Sequence, residues 1–549
     1  MNYADFIIVF AFLGAMFWLG SVFYKWVASS DDYYLAGRQL TPFILAAVLT
    51  ATNVNLYSFI GQTGIAYREG ISIIWQTWTG NMAMVISGLF ILPVFRRLRI
   101  KTIPEFLEMR YSRGVRTFVA VLWIFRLTFW LGVVLYTAAV AATIISGFDS
   151  FTAWVLVFSV VVIIYTMLGG MWSVAFTDVI QFVLMLAGAL ILLPVAMHAV
   201  GWWPGLVSKL PEGALTLIKN GGAYDWKFIL AIFLLGIEWA CVDQGLLQRA
   251  FGAESTKSVA KSLVLAGIIT TPFALLWNLP GLAARILYPG LENADTAIPM
   301  MIVHLIPNVV LGVIVVGLLS SQLSTISGNL NGVATIFTSD IFENTINRAA
   351  GQKTVLRVAR VVTAVVGIGM ILFAYLVPVL GGAVNAYLTI IAVMDMPLFI
   401  IAVVYGLFWK RIYWRGAVGG YIAGALSGII GQFILKYDFN LTTFITAGVT
   451  LIATPIISYL SNEKSDDDRV NVIWKARRIS EEEIGNNDVY NIIPVTVRGR
   501  VSLAVLVLGL VVFVGGVVSG GYDFVYSSQI AVGGMILFFA GGLARSYSN

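Results

Sequence analysis

Oxygen-bearing side chains are concentrated in one stretch of this otherwise apolar chain, from Ser320 to Asp340. Within it Ser321, Ser324, Thr325 and Gly328 have the spacing i, i+3, i+4 and i+7, which places them on one stripe of a helix. Hydroxyl and carbonyl oxygens of this kind can bind a hard cation. The same stripe would also suit a close helix–helix contact in which the hydroxyls bond back to their own helix. The stretch by itself leaves both interpretations open.

The elements that must position this stripe are membrane helices. Of the 549 residues 59% are hydrophobic and 11% are charged, against about 25% charged residues in soluble domains. Apolar runs recur that are long enough to cross a hydrocarbon layer of about 30 Å. A single cysteine excludes an intrachain disulfide framework and a cysteine-based metal cluster. The chain is therefore predicted to be an all-α polytopic membrane protein.

We predict fifteen membrane-spanning segments from the apolar runs. They are 3–26, 41–66, 70–95, 116–146, 151–168, 175–200, 227–250, 259–286, 308–338, 357–380, 383–409, 416–435, 440–460, 500–519 and 525–545.

Basic residues predict the orientation of these segments in the cell membrane. The basic loops at 96–116, 257–261, 348–353 and 410–415 fall on one side if the N-terminus is outside. By the positive-inside rule that side is cytoplasmic, and the charged segment 462–499 lies there too. The net charge of +6 is thereby explained without a nucleic-acid partner. No cleavable signal peptide is expected.

Two of the segments carry polar residues at mid-membrane depth. Segment 41–66 contains Thr50, Thr52, Asn53 and Asn55, and segment 227–250 contains Glu238, Asp243 and Gln244. Broken backbone at this depth is tolerated only where it is buried in protein or lines a wet cavity. Each of these segments begins a group of five, which is typical of transporters built from inverted repeats.

Several short motifs carry a resemblance to a known family. They are Asp32–Arg38 (DYYLAGR), Thr102–Leu107 (TIPEFL), Thr177–Gln181 (TDVIQ), Asp243–Gln244, Gln248–Arg249, Ala334–Asp340 (ATIFTSD) and Gly406–Lys410 (GLFWK). With them the chain resembles the sodium/solute symporter family, and most closely its sodium–sugar cotransporter branch. The resemblance implies a LeuT-like fold with five-plus-five inverted repeats, one extra helix before them and about four after. It divides the chain into an N-terminal region (residues 1–40), a transport core (residues 41–410, with repeats 41–200 and 227–409) and a C-terminal region (residues 411–549).

The resemblance also implies a sodium site between the first broken helix and the hydroxyl stripe. Its ligands would be the backbone carbonyls of Ala51, Val54 and Ser321 and the hydroxyls of Ser324 and Thr325. Five neutral oxygens would bind Na⁺ weakly enough to release it, as a coupling ion requires.

Some relatives bind a second sodium ion at the aspartate that corresponds to Asp178. Ser327 matches one of the hydroxyls of that site, but Gly328 replaces the other. The alternative is that Asp178 has a structural role near the end of its helix. Both interpretations stay open.

The solute is expected beside the two broken helices, near the bilayer midplane. The residues implied to face it are Asn53, Ser58, Thr77, Trp78 and Trp239. In a sugar-transporting bacterial relative the positions of Ser58, Thr77 and Thr270 hold glutamine, glutamate and lysine, so these sugar contacts do not carry over. Trp239 would stack on a sugar ring or close the inner path.

Four ionisable residues, Arg126, Glu238, Asp243 and Asp395, lie within predicted segments, where charge is costly and often functional. Asp243 is expected to be structural. Arg126 would either pair with an internal carboxylate or hold a carboxylate of the solute. A zwitterionic or cationic solute would instead use Asp395 or Glu238.

The leading hypothesis is a sodium-coupled symporter that imports a small solute by alternating access, with a sugar or polyol favoured. An organic acid or amino acid is the alternative solute class. A membrane solute sensor is the alternative from another class, but it would need a signalling module, and none is recognised. An enzyme is not expected, because no nucleophile–base pair, phosphate loop or metal-ligand cluster is found. The expected partners are the solute, Na⁺ and the lipid bilayer, without an obligate protein partner.

Overall fold

A computed structural model describes residues 1–380, 390–461, 467–478 and 488–548. These residues are overwhelmingly helical, and among them no β-strand occurs beyond one isolated bridge between Leu40 and Ala253. The predicted segment 383–409 begins outside the described residues, and stretches of the predicted cytoplasmic segment 462–499 also lie outside them.

The α-helices are numbered in chain order. They are α1 Tyr3–Phe23, α2 Ser30–Leu35, α3 Pro42–Asn53, α4 Thr63–Glu69, α5 Ile74–Ile86, α6 Leu92–Arg97, α7 Ile103–Arg110, α8 Arg113–Ser146, α9 Phe151–Val200, α10 Trp202–Lys209, α11 Trp226–Val242, α12 Gln244–Phe251, α13 Thr256–Leu287, α14 Ala297–Leu305, α15 Val310–Thr335, α16 Gln352–Leu376, α17 Met396–Phe399, α18 Tyr405–Phe408, α19 Trp414–Ile429, α20 Phe439–Leu460, α21 Asp467–Ala476, α22 Val497–Gly520 and α23 Ser527–Tyr547. Several helices continue as π-helical turns, at Tyr57–Gln62, Ser87–Ile91, Ile336–Ile346, Ile391–Asp395, Ile400–Val404 and Ile430–Ile434.

Eleven helices of the described chain are long and apolar enough to cross a membrane, or thirteen if each of two bent pairs is one span. The 50-residue helix α9 would be about 75 Å long if straight, more than twice the thickness of a hydrocarbon layer. It breaks at Gly170, whose φ of 51° is left-handed, and a Cβ there would collide with the backbone of Tyr33. Helix α9 therefore contains both predicted segments 151–168 and 175–200. A shorter apolar helical stretch, Val393–Phe408, lies within the predicted segment 383–409.

The two spans with polar midpoints are bent in the structure. Between Pro42–Asn53 and Tyr57–Glu69 the axis turns by 51°, and between Trp226–Val242 and Gln244–Phe251 it turns by 47°. Val54 has an extended backbone at the first break, and Asp243 has one at the second. The Asp243 carboxylate then caps α12 by accepting a hydrogen bond from the Leu246 N–H at 3.0 Å. Both breaks lie where the polar residues predicted them.

Helix α15 is the central element of the core. Nearly all of its side chains between Leu311 and Thr335 are buried, and it packs against α8, α9, α12, α16 and α3. By contrast, α19 packs with α20 and α22 with α23, and these helices expose large apolar side chains such as Ile452 and Val511. Because such side chains suit lipid surroundings, the hydroxyl stripe lies inside the protein and the C-terminal helices lie at its periphery.

Candidate sodium and solute sites

The hydroxyl stripe of α15 is buried beside the first broken helix. Ser324 and Thr325 are 0% and 3% exposed, and α15 packs against α3. Thr325 Oγ1 donates to the Ser321 carbonyl at 3.1 Å, so its lone pairs stay available to a cation. Ser324 Oγ has no hydrogen-bond partner in the described protein. A buried hydroxyl without a partner is unusual, and it fits the role of a cation ligand.

A glutamine for which the sequence predicted no role fixes the broken helix against α15. Gln322 Oε1 accepts from the Leu56 N–H at 3.1 Å, which satisfies a backbone donor freed by the break. Its Nε2 donates to the Val134 carbonyl at 2.7 Å and to Thr137 Oγ1 at 2.8 Å on α8. Ala51 and Val54, which flank the break, are each 1% exposed. Gln322 could have been recognised as a polar residue between Ser321 and Ser324, but its partners are far away in sequence.

A cavity of about 120 Å³ lies between the two broken helices. Its lining is mostly amide, hydroxyl and aromatic. The lining residues are Thr52, Asn53, Asn55, Tyr57, Ser58, Gln62, Gln76, Thr77, Gly80, Arg126, Trp130, Ile232, Leu235, Gly236, Trp239, Asp243, Thr325, Asn329, Ile391 and Phe439. Because Thr325 belongs to this lining, the cavity adjoins the implied sodium site.

Five of the predicted solute residues line this cavity, namely Asn53, Ser58, Thr77, Trp239 and Arg126. Two others do not. The indole N–H of Trp78 donates to the Thr271 carbonyl at 2.9 Å, so its ring packs between helices. Asp395 is 1% exposed and is paired with Arg126, which does line the cavity.

Two glutamines of the lining have positions that the sequence did not predict. Gln62 Oε1 accepts from Thr77 Oγ1 at 2.9 Å and from the Trp277 indole at 3.0 Å. The Gln76 amide donates to the Tyr57 hydroxyl at 3.3 Å. Gln62 follows Ser58 by one helical turn, so an i, i+4 pattern could have indicated its position.

Arg126 lies at one side of the cavity in a cluster of acidic residues. Its guanidinium makes a two-point ion pair with Asp395, through Nε to Oδ1 at 2.9 Å and through Nη2 to Oδ2. Nη1 donates to Asp243 Oδ2 at 3.3 Å. The carboxyl group of Glu238 also lies nearby, and neither of its oxygens has a hydrogen-bond partner in the described protein. Internal carboxylates therefore occupy Arg126, which is one of the two alternatives that the sequence left open.

Asp178 lies beside the hydroxyl stripe and is paired with an arginine. Arg249 donates to Asp178 Oδ2 from Nε at 3.0 Å and from Nη2 at 2.9 Å. Both side chains are fully buried. Ser327, the other residue implied for a second sodium ion, donates its hydroxyl to the Ser324 carbonyl at 3.0 Å.

A family model described as the sodium:solute symporter family matches residues 33–424, well over half of the chain. The chain belongs to the sodium:solute symporter family. It is 29% identical over 476 residues to the sodium/glucose cotransporter of Vibrio parahaemolyticus, and the alignment covers 80% of this chain and 86% of that protein. It is 25% identical over 509 residues to sodium/myo-inositol cotransporter 2 of Oryctolagus cuniculus, and that alignment covers 81% of this chain and 75% of the relative.

Solved structures show the same fold. A Na⁺-coupled sialic acid symporter in a substrate-bound outward-open state matches with a TM-score of 0.75 at 22% identity, over 84% of this chain and 98% of that one. The nucleobase-cation-symport-1 family transporter Mhp1 matches with a TM-score of 0.55 at 16% identity, over 80% and 98%. The expectation of an all-α LeuT-like membrane protein is thereby confirmed.

Membership of this family establishes the general function of the chain as sodium-coupled transport. The chain is a multi-pass membrane protein of a family that couples the transport of small solutes to sodium, and Na⁺ is its coupling ion. The family and the relatives are transporters rather than enzymes.

Proposed function

We propose that this protein imports a neutral polyhydroxylated solute, a sugar or a polyol, together with sodium by alternating access. The carrying observation is the two-point ion pair between Arg126 and Asp395, with Asp243 as a third contact. Arg126 is the one cationic side chain among the described residues that line the cavity. A solute carboxylate would have to displace a buried carboxylate from it, which is costly.

The rest of the lining suits hydroxyl groups. A solute hydroxyl both donates and accepts, and a carboxamide offers one donor and one acceptor end. The carbonyl end of Gln62 is held by Thr77 and Trp277, so its NH₂ end is the group left to a ligand. Asn53 donates from Nδ2 to Asn81 Oδ1 at 2.8 Å, which leaves its Oδ1 as an acceptor.

Aromatic rings complete this match. Trp239 and Trp130 line the same cavity, and flat rings pack well against the C–H face of a sugar or cyclitol. The names of the relatives point the same way, since they include cotransporters of glucose and of myo-inositol.

The sodium ion would be held by the carbonyls of Ala51, Val54 and Ser321 and by the hydroxyls of Ser324 and Thr325. This assignment is supported by the unpartnered Ser324 hydroxyl and by the packing of α3 on α15. Because the break between α3 and α4 borders both the ion and the cavity, sodium would order the surface that binds the solute. The coupling is mutual, so the solute raises sodium affinity by the same factor.

The cytoplasmic side is inferred to hold segment 462–499, with the N-terminus outside. Arg97, the last residue of α6 and part of the basic region 96–116, donates to the carbonyls of Ala476 and Arg478 near the end of α21. The basic loop and the described residues of this segment are therefore on one face, which the positive-inside rule assigns to the cytoplasm. Labelling of cysteines introduced into α21 with a membrane-impermeant thiol reagent tests this: they should react only from inside.

The solute class is tested by thermal shift of the purified protein with sugars, polyols, carboxylates and amino acids, each with and without Na⁺. We expect stabilisation by a neutral polyhydroxyl compound that depends on sodium, followed by sodium-driven uptake of that compound into proteoliposomes. Stabilisation by carboxylates or amino acids alone would overturn the sugar or polyol assignment and favour the other solute class.

The sodium site is tested by the double variant Ser324→Ala/Thr325→Ala. Loss of two charge-assisted contacts should raise the half-saturating sodium concentration by about 100-fold or abolish sodium-driven uptake. The matched control is Ser159→Ala, because this buried hydroxyl donates to carbonyls of its own helix, as at Val155 at 2.7 Å. An unchanged sodium dependence in the double variant would sink the assignment.

A further inference from the structure

A buried carboxylate beside the cation-binding stripe would attract a second cation unless the protein supplies one. We propose that the guanidinium of Arg249 is the resident cation at Asp178, so that this transporter binds one sodium ion per cycle. The inference rests on the proposed sodium site at Ser324 and Thr325 and adds the number of ions to it.

The hydrogen bonds of Arg249 account for every nitrogen of its guanidinium. Nε and Nη2 donate to Asp178 Oδ2, Nη2 also donates to the Ser324 carbonyl at 2.8 Å, and Nη1 donates to the Gly245 carbonyl at 2.9 Å. Both partners of the ion pair are 0% exposed. A single positive charge therefore already balances the carboxylate in a site closed to water.

Gly328 makes room for this guanidinium. A Cβ built on Gly328 would overlap Nη1, Nη2 and Cζ of Arg249. Any side chain at position 328, including a serine whose hydroxyl would serve as an ion ligand, is therefore incompatible with the observed place of the arginine. The glycine and the arginine form one arrangement, in which the space for a further oxygen ligand is filled by nitrogen donors.

A second sodium ion would meet strong repulsion here. Its remaining ligands would be Asp178 Oδ1, which has no hydrogen-bond partner in the described protein, and hydroxyls near it. The carboxylate would then face two cations at close range in a dry environment, where like charges repel far more than in water. The Ser324 side chain lies beside Asp178, so an ion bound at Oδ1 would also lie close to the first sodium ion.

Arg249 also contacts the helix segment of the first site. Through Nη2 it donates to the carbonyl of Ser324, the residue whose hydroxyl belongs to the proposed sodium ligands. The resident cation and the first ion therefore lie on either side of one residue.

The test is the number of sodium ions bound by the purified full-length protein, measured with radiolabelled Na⁺ at saturation. We expect one ion per chain in the unsubstituted protein and none in Ser324→Ala/Thr325→Ala. Two ions per chain would overturn the inference and leave the proposed function standing. No bound sodium would instead overturn the proposed function itself.

Two double variants at positions 249 and 328 test the number of bound ions in a second way, which does not depend on the folding of any one variant. Arg249→Gln/Gly328→Ser removes the resident cation and restores the hydroxyl, so it should bind two ions and steepen the sodium dependence of uptake. The matched control, Arg249→Gln/Gly328→Ala, has the same added Cβ but no oxygen, and we expect it to bind the second ion more weakly than the serine variant does. Retention of one ion in Ser324→Ala/Thr325→Ala together with its loss in Asp178→Asn would place the ion at Asp178 and refute the inference.

Discussion

Two buried arginines in this protein, Arg249 and Arg126, are neutralised in different ways. Arg249 meets one carboxylate, Asp178, and both are inaccessible to solvent. Arg126 meets two, Asp395 and Asp243. The Arg249 pair is balanced one to one between helices, whereas the Arg126 cluster has more acidic groups than basic ones.

The two arginines also differ in what surrounds them. Arg126 and Asp243 line the cavity between the broken helices, while the Arg249 pair lies within packed helices and makes its further contacts to backbone carbonyls. Because the Arg249–Asp178 pair is closed to solvent and balanced in charge, it fixes the relative position of the helices that it joins. A cluster that borders a cavity changes its electrostatic environment whenever the cavity changes its contents. The Arg249 pair therefore has a structural role, whereas the Arg126 cluster responds to what the cavity contains.

The largest effect is expected from breaking the closed pair on one side only. Asp178→Asn leaves the guanidinium of Arg249 buried without a counter-charge, which should cost about 3–5 kcal/mol of unfolding free energy. Asp178→Asn/Arg249→Gln removes both charges and should recover much of that loss. Denaturant unfolding in detergent measures both, and a double variant as unstable as the sum of the two single variants would show that the residues do not act as a pair.

A smaller loss of stability, about 2–3 kcal/mol, is expected from Arg126→Gln, because water in the adjoining cavity solvates the carboxylates left behind. Its effect on transport should be larger than its effect on folding, since Arg126 lines the cavity. The measurements are unfolding in detergent and solute-induced thermal stabilisation. Equal destabilisation by Arg126→Gln and Arg249→Gln would contradict the distinction between an open cluster and a closed pair.

The smallest effect is expected from Glu238→Gln, within about 1 kcal/mol of the unsubstituted protein. Neither oxygen of Glu238 has a hydrogen-bond partner in the described structure, so the amide removes no ion pair and relieves the proximity to Asp395. Asp395→Asn is the matched comparison, because it does break the pair with Arg126. If thermal unfolding shows the two amide variants to be equally destabilised, the acidic groups of this cluster are equivalent and our account of it is wrong.

Much of the fold was predictable because membrane helices are specified locally. The predicted segments coincide with helices wherever the structure describes them, and the polar residues at Asn53–Asn55 and Asp243–Gln244 mark the two breaks. The break at Gly170 was also visible as the division between two apolar runs. A run of about 20 apolar residues has few alternatives in a bilayer, because every backbone polar group must be satisfied within the segment.

The candidate sites were predictable only to a limited extent. The hydroxyls of Ser324 and Thr325 came from spacing together with the family motifs, and Asn53, Ser58, Thr77, Trp239 and Arg126 do line the cavity. Trp78 was placed in the solute site, yet its indole contacts the Thr271 carbonyl instead. The direction of a helical side chain depends on which neighbouring helix packs against it, and that information is not local.

The amino-acid sequence by itself determined the membrane architecture, the two broken helices, the family and the oxygen-bearing stripe on α15. It left open what Arg126 and Asp178 pair with, and only the tertiary structure decided this. Asp178 and Arg249 are 71 residues apart, and Arg126 and Asp395 are 269 apart. Ion pairs in a low-dielectric interior depend steeply on distance and geometry, and those are set by how distant helices pack, not by the residues beside each charge.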